Sequence, residues 1–245
     1  MTVRVRTLTC GFLTSDAGGM VPGQVGTMRM PVGAFLIEHA DGTAVFDTGM
    51  HPELATTKDR MGVTADLFEV ELSEASSVAG QLAERELGPE AIDLVIVSHL
   101  HFDHCGGLGL LPDARLLVQR AEWAAAFDGP LVELGVFNPG DFDLGHDRQE
   151  LDGEHDVFGD GSVVIVPTPG HTAGHQSVLI ERRLLLTGDA CYCRLALDVD
   201  SPPAFAHDVE QQRRGFAWLR QQEEAGVQLV FSHDLEQWNG LPQEL

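Results

Sequence analysis

Lysine is almost missing from this sequence. Lys58 is the single lysine among 15 basic residues, set against 38 acidic ones, and the formal net charge is −23. A chain so short of positive charge repels phosphate backbones and anionic headgroups, which argues against nucleic-acid and membrane partners. Tyrosine is equally scarce, with Tyr192 the only one. Cysteine occurs four times, at Cys10, Cys105, Cys191 and Cys193. That is too sparse for a disulfide scaffold, so reduced thiols are expected. No apolar run approaches the roughly 18 residues of a membrane span. The first residues alternate polar and apolar and lack the apolar stretch of a secretory signal, so a cytoplasmic location is expected. Histidine, by contrast, occurs 11 times.

The 245 residues, 43% of them hydrophobic, can form one domain with an ample core. No linker, repeat or low-complexity tract divides them, so a single domain over residues 1–245 is expected. Alternation predicts a strand over residues 2–9, followed by a Gly- and Met-rich loop over 18–33. Residues 32–38 and 43–46 read as a hairpin around Asp41-Gly42. Residues 51–72 have no clear period. A helix is predicted over 73–87, capped by Ser73 and stopped by Gly88-Pro89. Short apolar runs predict strands over 92–97, 114–119, 148–151, 163–166, 176–181, 184–187 and 227–231. Helices are predicted over 120–127 and 208–224, and a surface loop over 128–146. Strands and helices alternate in two blocks. This suggests two mixed β-sheets face to face with helices outside, a four-layer α/β sandwich.

The sharpest motif is His99-Leu-His101-Phe-Asp103-His104. Three imidazoles and a carboxylate within six residues suit Zn²⁺ and neighbouring divalent ions. His99 and His101, two apart at a strand end, project to the same side. Four donors would crowd one tetrahedral ion. Two ions fit better, one on His99 and His101, the other on Asp103 and His104. Each then needs further donors, and His171, Asp189 and His233 each stand just past a predicted strand. His39, His51, His146, His155 and His207 read as surface or packed histidines. His175, four residues past His171, could support the donors from behind.

These motifs together resemble the metallo-β-lactamase superfamily of hydrolases, and Phe46-Asp47-Thr48-Gly49 is similar to that superfamily's first motif. The resemblance implies the αβ/βα sandwich. It implies one ion held by His99, His101 and His171, a second by Asp103, His104 and His233, Asp189 bridging both, and Asp47 orienting the donors from behind. Two Zn²⁺ ions are the default, with Fe, Co or Mn compatible with an N/O site. Within the superfamily, TPGHTAGHQS, DACY and SHDLEQW look like the N-acyl-homoserine lactone lactonases of bacterial quorum quenching. That likeness implies that a hydroxide bridging the ions attacks the lactone carbonyl, that Tyr192 donates to the oxyanion, and that Asp103 shuttles a proton to the leaving alkoxide.

Phe102, Met20 and Phe68, with Met28, Met61 and Leu67, are candidate walls for an acyl chain. Cys105 and Cys191 adjoin proposed donors, but nitrogen and oxygen fill both coordination spheres, so they read as small packing residues. A lactonase for another small lactone, such as a vitamin-derived one, would carry the same motifs, and a substrate panel separates the two. A thioesterase of the glyoxalase II type would want basic residues for glutathione carboxylates, and the residues after His233 include no Lys or Arg. The −23 charge opposes a nuclease of the RNase Z type. A non-catalytic metal-binding module fits poorly with both donor sets and the tyrosine present. The expected partner is a small lactone, and the sequence leaves the oligomeric state undetermined.

Overall fold

A computed structural model describes residues 3–245. Its strands are β1 (Arg4–Asp16), β2 (Thr27–His39), β3 (Gly42–Phe46), β4 (Glu69–Glu71), β5 (Leu94–Ile96), β6 (Arg115–Gln119), β7 (Arg148–Leu151), β8 (His155–Asp156), β9 (Val163–Pro167), β10 (Gln176–Ile180), β11 (Leu184–Leu186) and β12 (Gln228–Val230). Its α-helices are α1 (Ala17–Met20), α2 (Val78–Ala83), α3 (Phe102–Cys105), α4 (Arg120–Ala125), α5 (Pro130–Glu133), α6 (Pro139–Phe142), α7 (Arg194–Asp198), α8 (Val209–Glu224) and α9 (Leu235–Gly240). Among the described residues, no helix is long and apolar enough to cross a membrane.

A seven-stranded sheet runs β4-β1-β2-β3-β5-β6-β7, and a five-stranded sheet runs β12-β11-β10-β9-β8. Both are mixed. β3, β5, β6 and β7 are parallel neighbours, as are β11 and β12, and the other pairs are antiparallel. The period-2 rule divides their side chains into two cores. Phe46, Ile96 and Leu117 of the first sheet meet Ile165, Val178, Leu186 and Val230 of the second in the space between them. Val45, Val95 and Leu116 point the other way, onto Val78, Leu82 and Leu108. On the far side, Leu185 and Leu229 share a core with Phe216 and Leu219 of α8. The layers are therefore helix, sheet, sheet, helix, as the two-block pattern predicts.

Several local readings need correction. The strand predicted over residues 2–9 continues to Asp16, and its predicted start at Thr2 lies outside the described residues. The second half of the predicted 18–33 loop is strand, because β2 begins at Thr27 and pairs with β1 from Asp16 back to Phe12. A register shift between Thr9 and Phe12, with Gly11 at φ +102°, breaks the alternation that would have revealed it. The 73–87 helix shrinks to α2. Ser73 bonds instead to Ser76 in a turn, and Ser77 caps by accepting from Gly80 N at 3.1 Å. The unpatterned 51–72 stretch holds 3₁₀ turns at Pro52–Ala55 and Asp59–Asp66 as well as β4. The 128–146 loop holds α5 and α6. α8 matches its prediction closely, capped by Asp208 accepting from Gln211 N at 2.8 Å.

Candidate metal centre

The chain leaves β3, β5, β9, β11 and β12 at their C-terminal ends in buried segments that converge. Asp47 follows β3. His99 and His101 follow β5, and α3 then turns Asp103 and His104 back over them. His171 follows β9, Asp189 follows β11 and His233 follows β12. Asp47 holds a positive φ of 59° while buried, an unfavourable conformation for a residue with a Cβ. Its carboxylate accepts from Ser98 N at 2.6 Å, Ser98 Oγ at 2.8 Å and His104 Nδ1 at 2.8 Å. The strained turn thus aims one acid at the backs of the donors.

The structure brings the predicted donors together in three groups: His99, His101 and His171; His99, His104 and Asp189; and Asp103, His104 and His233. Within the first, His99 Nε2 lies 3.0 Å from His101 Nδ1 and 3.2 Å from His171 Nε2, and His171 Nε2 lies 3.1 Å from His101 Nδ1. Within the others, Asp189 Oδ1 is 3.3 Å from His104 Nε2 and 3.2 Å from His233 Nε2, while Asp103 Oδ2 is 3.6 Å from each of those nitrogens. Asp189 Oδ2 reaches the first group, 3.4 Å from His171 Nε2. Asp189 therefore stands between the two sets.

The outer partners fix the tautomers. Ser98 Oγ gives its proton to Asp47, so His99 Nδ1–H donates to Ser98 Oγ at 3.0 Å. His104 Nδ1–H donates to Asp47, and His233 Nδ1–H donates to Pro31 O at 2.8 Å. In all three rings Nδ1 is thus turned outward and Nε2 faces inward, where the neutral ring offers a lone pair. His104 Nε2 is buried with no hydrogen-bond partner. His175, which could only be guessed to support the site, accepts from Asp189 N at 2.9 Å through Nε2. Its Nδ1 bonds to Thr168 Oγ1 at 2.8 Å, and that hydroxyl meets Ser177 Oγ, which donates to Thr187 O.

Electrostatics separate the two sets. Burial, with neighbouring imidazoles, holds His99 well below its ordinary value. Burial also holds His171 well down, against the pull of Asp189, and pushes His101 down to about 4 and His175 to about 3. Burial works against protonation of His104 and His233 too, but Asp189 and Asp103 outweigh it and draw both upward. Burial likewise opposes ionisation of Asp189, yet His104 and His233 hold its carboxyl well below the usual carboxylate range. Without a cation, protons on His104 and His233 balance the ionised Asp189, and the converging imidazole nitrogens and carboxylates are a donor set that fits divalent cations in place of those protons.

A cavity of about 290 Å³ opens onto these donors, lined by His101, Asp103, His171, Asp189, Tyr192 and His233 at one end. Apart from Thr64, its remaining wall is apolar. Of the predicted wall residues, Met20, Leu67, Phe68 and Phe102 line it, and Phe68 meets Phe102 edge-on with centroids 5.9 Å apart. Met28 and Met61 pack into the core instead. The sequence reading missed Leu13, Met30, Val63, Leu134, Val136 and Phe205. Their signal was faint, single apolar residues in stretches without period or in a strand whose face was unassigned. Two cations pin the rim. Lys58 Nζ donates to Phe68 O at 2.6 Å and Ala65 O at 3.1 Å, and Arg60 pairs with Asp141 at 2.5 Å and Glu53 at 2.6 Å.

Tyr192 is buried with its hydroxyl 3.4 Å from His171 Nδ1. Burial, with Asp189 and Asp103 nearby, pushes its phenol well above the ordinary value, so it keeps its proton. All four cysteines are free and buried, and none belongs to a donor group. Nor do His39, His51, His146, His155 and His207.

Comparison with known proteins agrees with this geometry. Residues 29–223 match the metallo-beta-lactamase superfamily. The N-acyl homoserine lactonase AttM of Azorhizobium caulinodans is 33% identical over 221 residues, covering 86% of this chain and 84% of AttM. A solved N-acyl homoserine lactone hydrolase, with the product N-hexanoyl-L-homoserine at its catalytic metal center, superposes with a TM-score of 0.85. It is 25% identical, with coverage of 99% of this chain and 98% of that one. A B. thuringiensis AiiA variant with N-decanoyl-L-homoserine at its active site gives a TM-score of 0.87, again at 25% identity and with the same coverage. Two mixed sheets, donors gathered at their C-terminal edge and a matching sequence family lead to one conclusion: the chain belongs to the metallo-beta-lactamase superfamily.

Proposed function

We propose that the protein is a metal-dependent lactonase that opens the ring of N-acyl-homoserine lactones, the reaction of quorum quenching. The carrying observation is the cavity of about 290 Å³, in which a largely apolar wall adjoins a cluster of inward-facing nitrogens and carboxylates. The AttM and AiiA likenesses support the substrate class. His99, His101 and His171 would hold one divalent ion, and Asp103, His104 and His233 a second, with Asp189 shared. Zn²⁺ suits this N/O set. Bound there, such ions supply Lewis acidity toward the ester carbonyl and a water activated near neutral pH.

The chain's own residues do the rest. With His171 Nδ1–H directed at Tyr192 Oη, the phenolic proton is free to point into the cavity and donate to the oxyanion that forms on the carbonyl. Asp103 borders the cavity and can carry the proton lost by water to the ring oxygen. The ring C–O bond breaks, the carbonyl carbon keeps the water oxygen, and the alkoxide leaves as a hydroxyl. Phe68, Phe102 and Leu67 receive the acyl chain and exclude water from it. The neutral lactone enters an acidic protein without repulsion, whereas the product is a carboxylate. The test is acid release from hexanoyl- and decanoyl-homoserine lactone, beside an unrelated γ-lactone, by protein carrying two zinc equivalents. Turnover of the homoserine lactones is expected. If that form leaves both intact, the proposal fails, and turnover of the γ-lactone alone moves the substrate class.

A further inference from the structure

Glu122, on α4, is a wholly buried acid that the reaction above does not use. Among the described residues no Arg, Lys or His forms an ion pair with it, a costly placement for a carboxylate. Its two oxygens accept from two backbone amides in different parts of the fold. Oε1 takes Leu100 N at 3.0 Å, and Oε2 takes Gly174 N at 2.9 Å. Leu100 stands between His99 and His101, in the segment that leaves the seven-stranded sheet. Gly174 lies in the His171–His175 segment, which joins two strands of the five-stranded sheet. The approach is close enough that a Cβ on Gly174 would sit 2.2 Å from Glu122 N.

The three-imidazole group draws two members from one sheet and the third from the other. We infer that Glu122 is a positioning residue for this group, a carboxylate strap whose two oxygens hold the His99–His101 segment and the His171 segment at the spacing a metal ion needs. This rests on the reading of the three histidines as metal donors. Both backbone groups are N–H donors, and a carboxyl group offers an oxygen to each, with the Thr172 hydroxyl as a third neighbour and burial pushing the acid's pKa up. A glutamine would offer one oxygen and set its own N–H₂ against the other amide.

Zinc affinity, measured by competition against a chromophoric chelator, tests this on the parent, Glu122→Gln and Glu122→Asp, with melting curves of the metal-free forms alongside. The parent is expected to bind two equivalents. Glu122→Gln should weaken one of them about 10–100-fold, as loss of outer support does at metal sites, and leave the other within about twofold. Glu122→Asp, which keeps the charge but reaches less far, should fall between. The same change in a His233→Ala background, where the second set lacks a donor, should weaken the equivalent that remains. Gly174→Ala, which keeps the acid but forces the two segments apart, should weaken the same equivalent and covers the case of a Glu122→Gln that does not fold. A parent that binds no zinc overturns the donor reading itself. Two tight equivalents in the parent and unchanged affinities in the variants, even with lowered melting temperatures, overturn the strap alone.

Discussion

The floor and the rim of the cavity are built on opposite plans. On the floor, His99, His104, His171, Asp189 and His233 are each 4% exposed or less, and outer hydrogen bonds hold the four rings and, from Ser232 Oγ, the Asp189 carboxylate. On the rim, Val63, Leu67 and Phe205 are more than half exposed, at 54%, 58% and 54%. Their segments are tied down by a few long cations, Lys58 and Arg60 among them. The floor spends strain and buried charge on fixed geometry, which chemistry at a metal requires. The rim offers apolar surface that a ligand can cover, which suits recognition of a chain of variable length.

Substitutions should separate the two regions. Asp189→Asn, which disturbs both donor sets, should cost about 10³-fold or more in lactone turnover, beyond the loss from one oxyanion donor, together with bound metal. Metal analysis beside kinetics checks it, and full activity with two ions retained would remove Asp189 from its shared place. Tyr192→Phe should lower kcat by about 10–10³-fold at unchanged metal content. Unchanged kinetics would exclude the phenol from the reaction. On the rim the effect should move to KM. Leu67→Ser or Phe205→Ser should raise KM for the decanoyl substrate about 10-fold and for the hexanoyl substrate much less, with kcat nearly constant. Equal losses for both chain lengths would argue that these side chains do not meet the acyl tail. Lys58→Met, which frees the Ala65 and Phe68 carbonyls, should raise the long-chain KM by about threefold.

The smallest effect concerns pH. Burial pushes Asp141 from its ordinary 3.8 up to about 6, although Arg60 opposes the shift. A raised acid binds its proton more tightly in the folded state, so its contribution to stability is complete below 3.8 and lost as pH rises through about 6. Asp141→Asn removes that dependence. The melting temperature of the parent relative to the variant should therefore fall across this window. A flat or rising difference would contradict the assignment.

The floor was far more legible in sequence than the rim, for a physical reason. Metal chemistry restricts donors to a few residue types, and strand ends fix their spacing, so His99 to His104 stands out in sequence, and the structure gathers it with His171, Asp189 and His233, the residues expected beside it. The four layers followed from the two blocks of strands and helices, to which the apolar runs of β5 and β6 and the capped helix α8 contribute clearly. Where backbone geometry overrides pattern, the reading failed. The bulge near Gly11 hid the extension of β1 and β2, and Ser73, a good cap by type, lost to Ser77. Glu122 was invisible because its partners are backbone amides, which carry no residue signature. Apolar wall residues such as Val63 and Phe205 look the same in sequence whether they face a ligand or a core.

The hydrogen bond from His233 to the Pro31 carbonyl joins residues 202 positions apart. Contacts of such separation form late, because loop-closure entropy is lost before they return anything. During synthesis, the His99–His104 run therefore appears first, His171 follows 72 positions after His99, and His233 comes last. A nascent chain extended just past Asp189 already holds the three-imidazole group, while the second set still lacks a member. If these side chains hold metal as proposed, the second ion would have to await the chain made through His233, and metal met earlier would find only the first set complete.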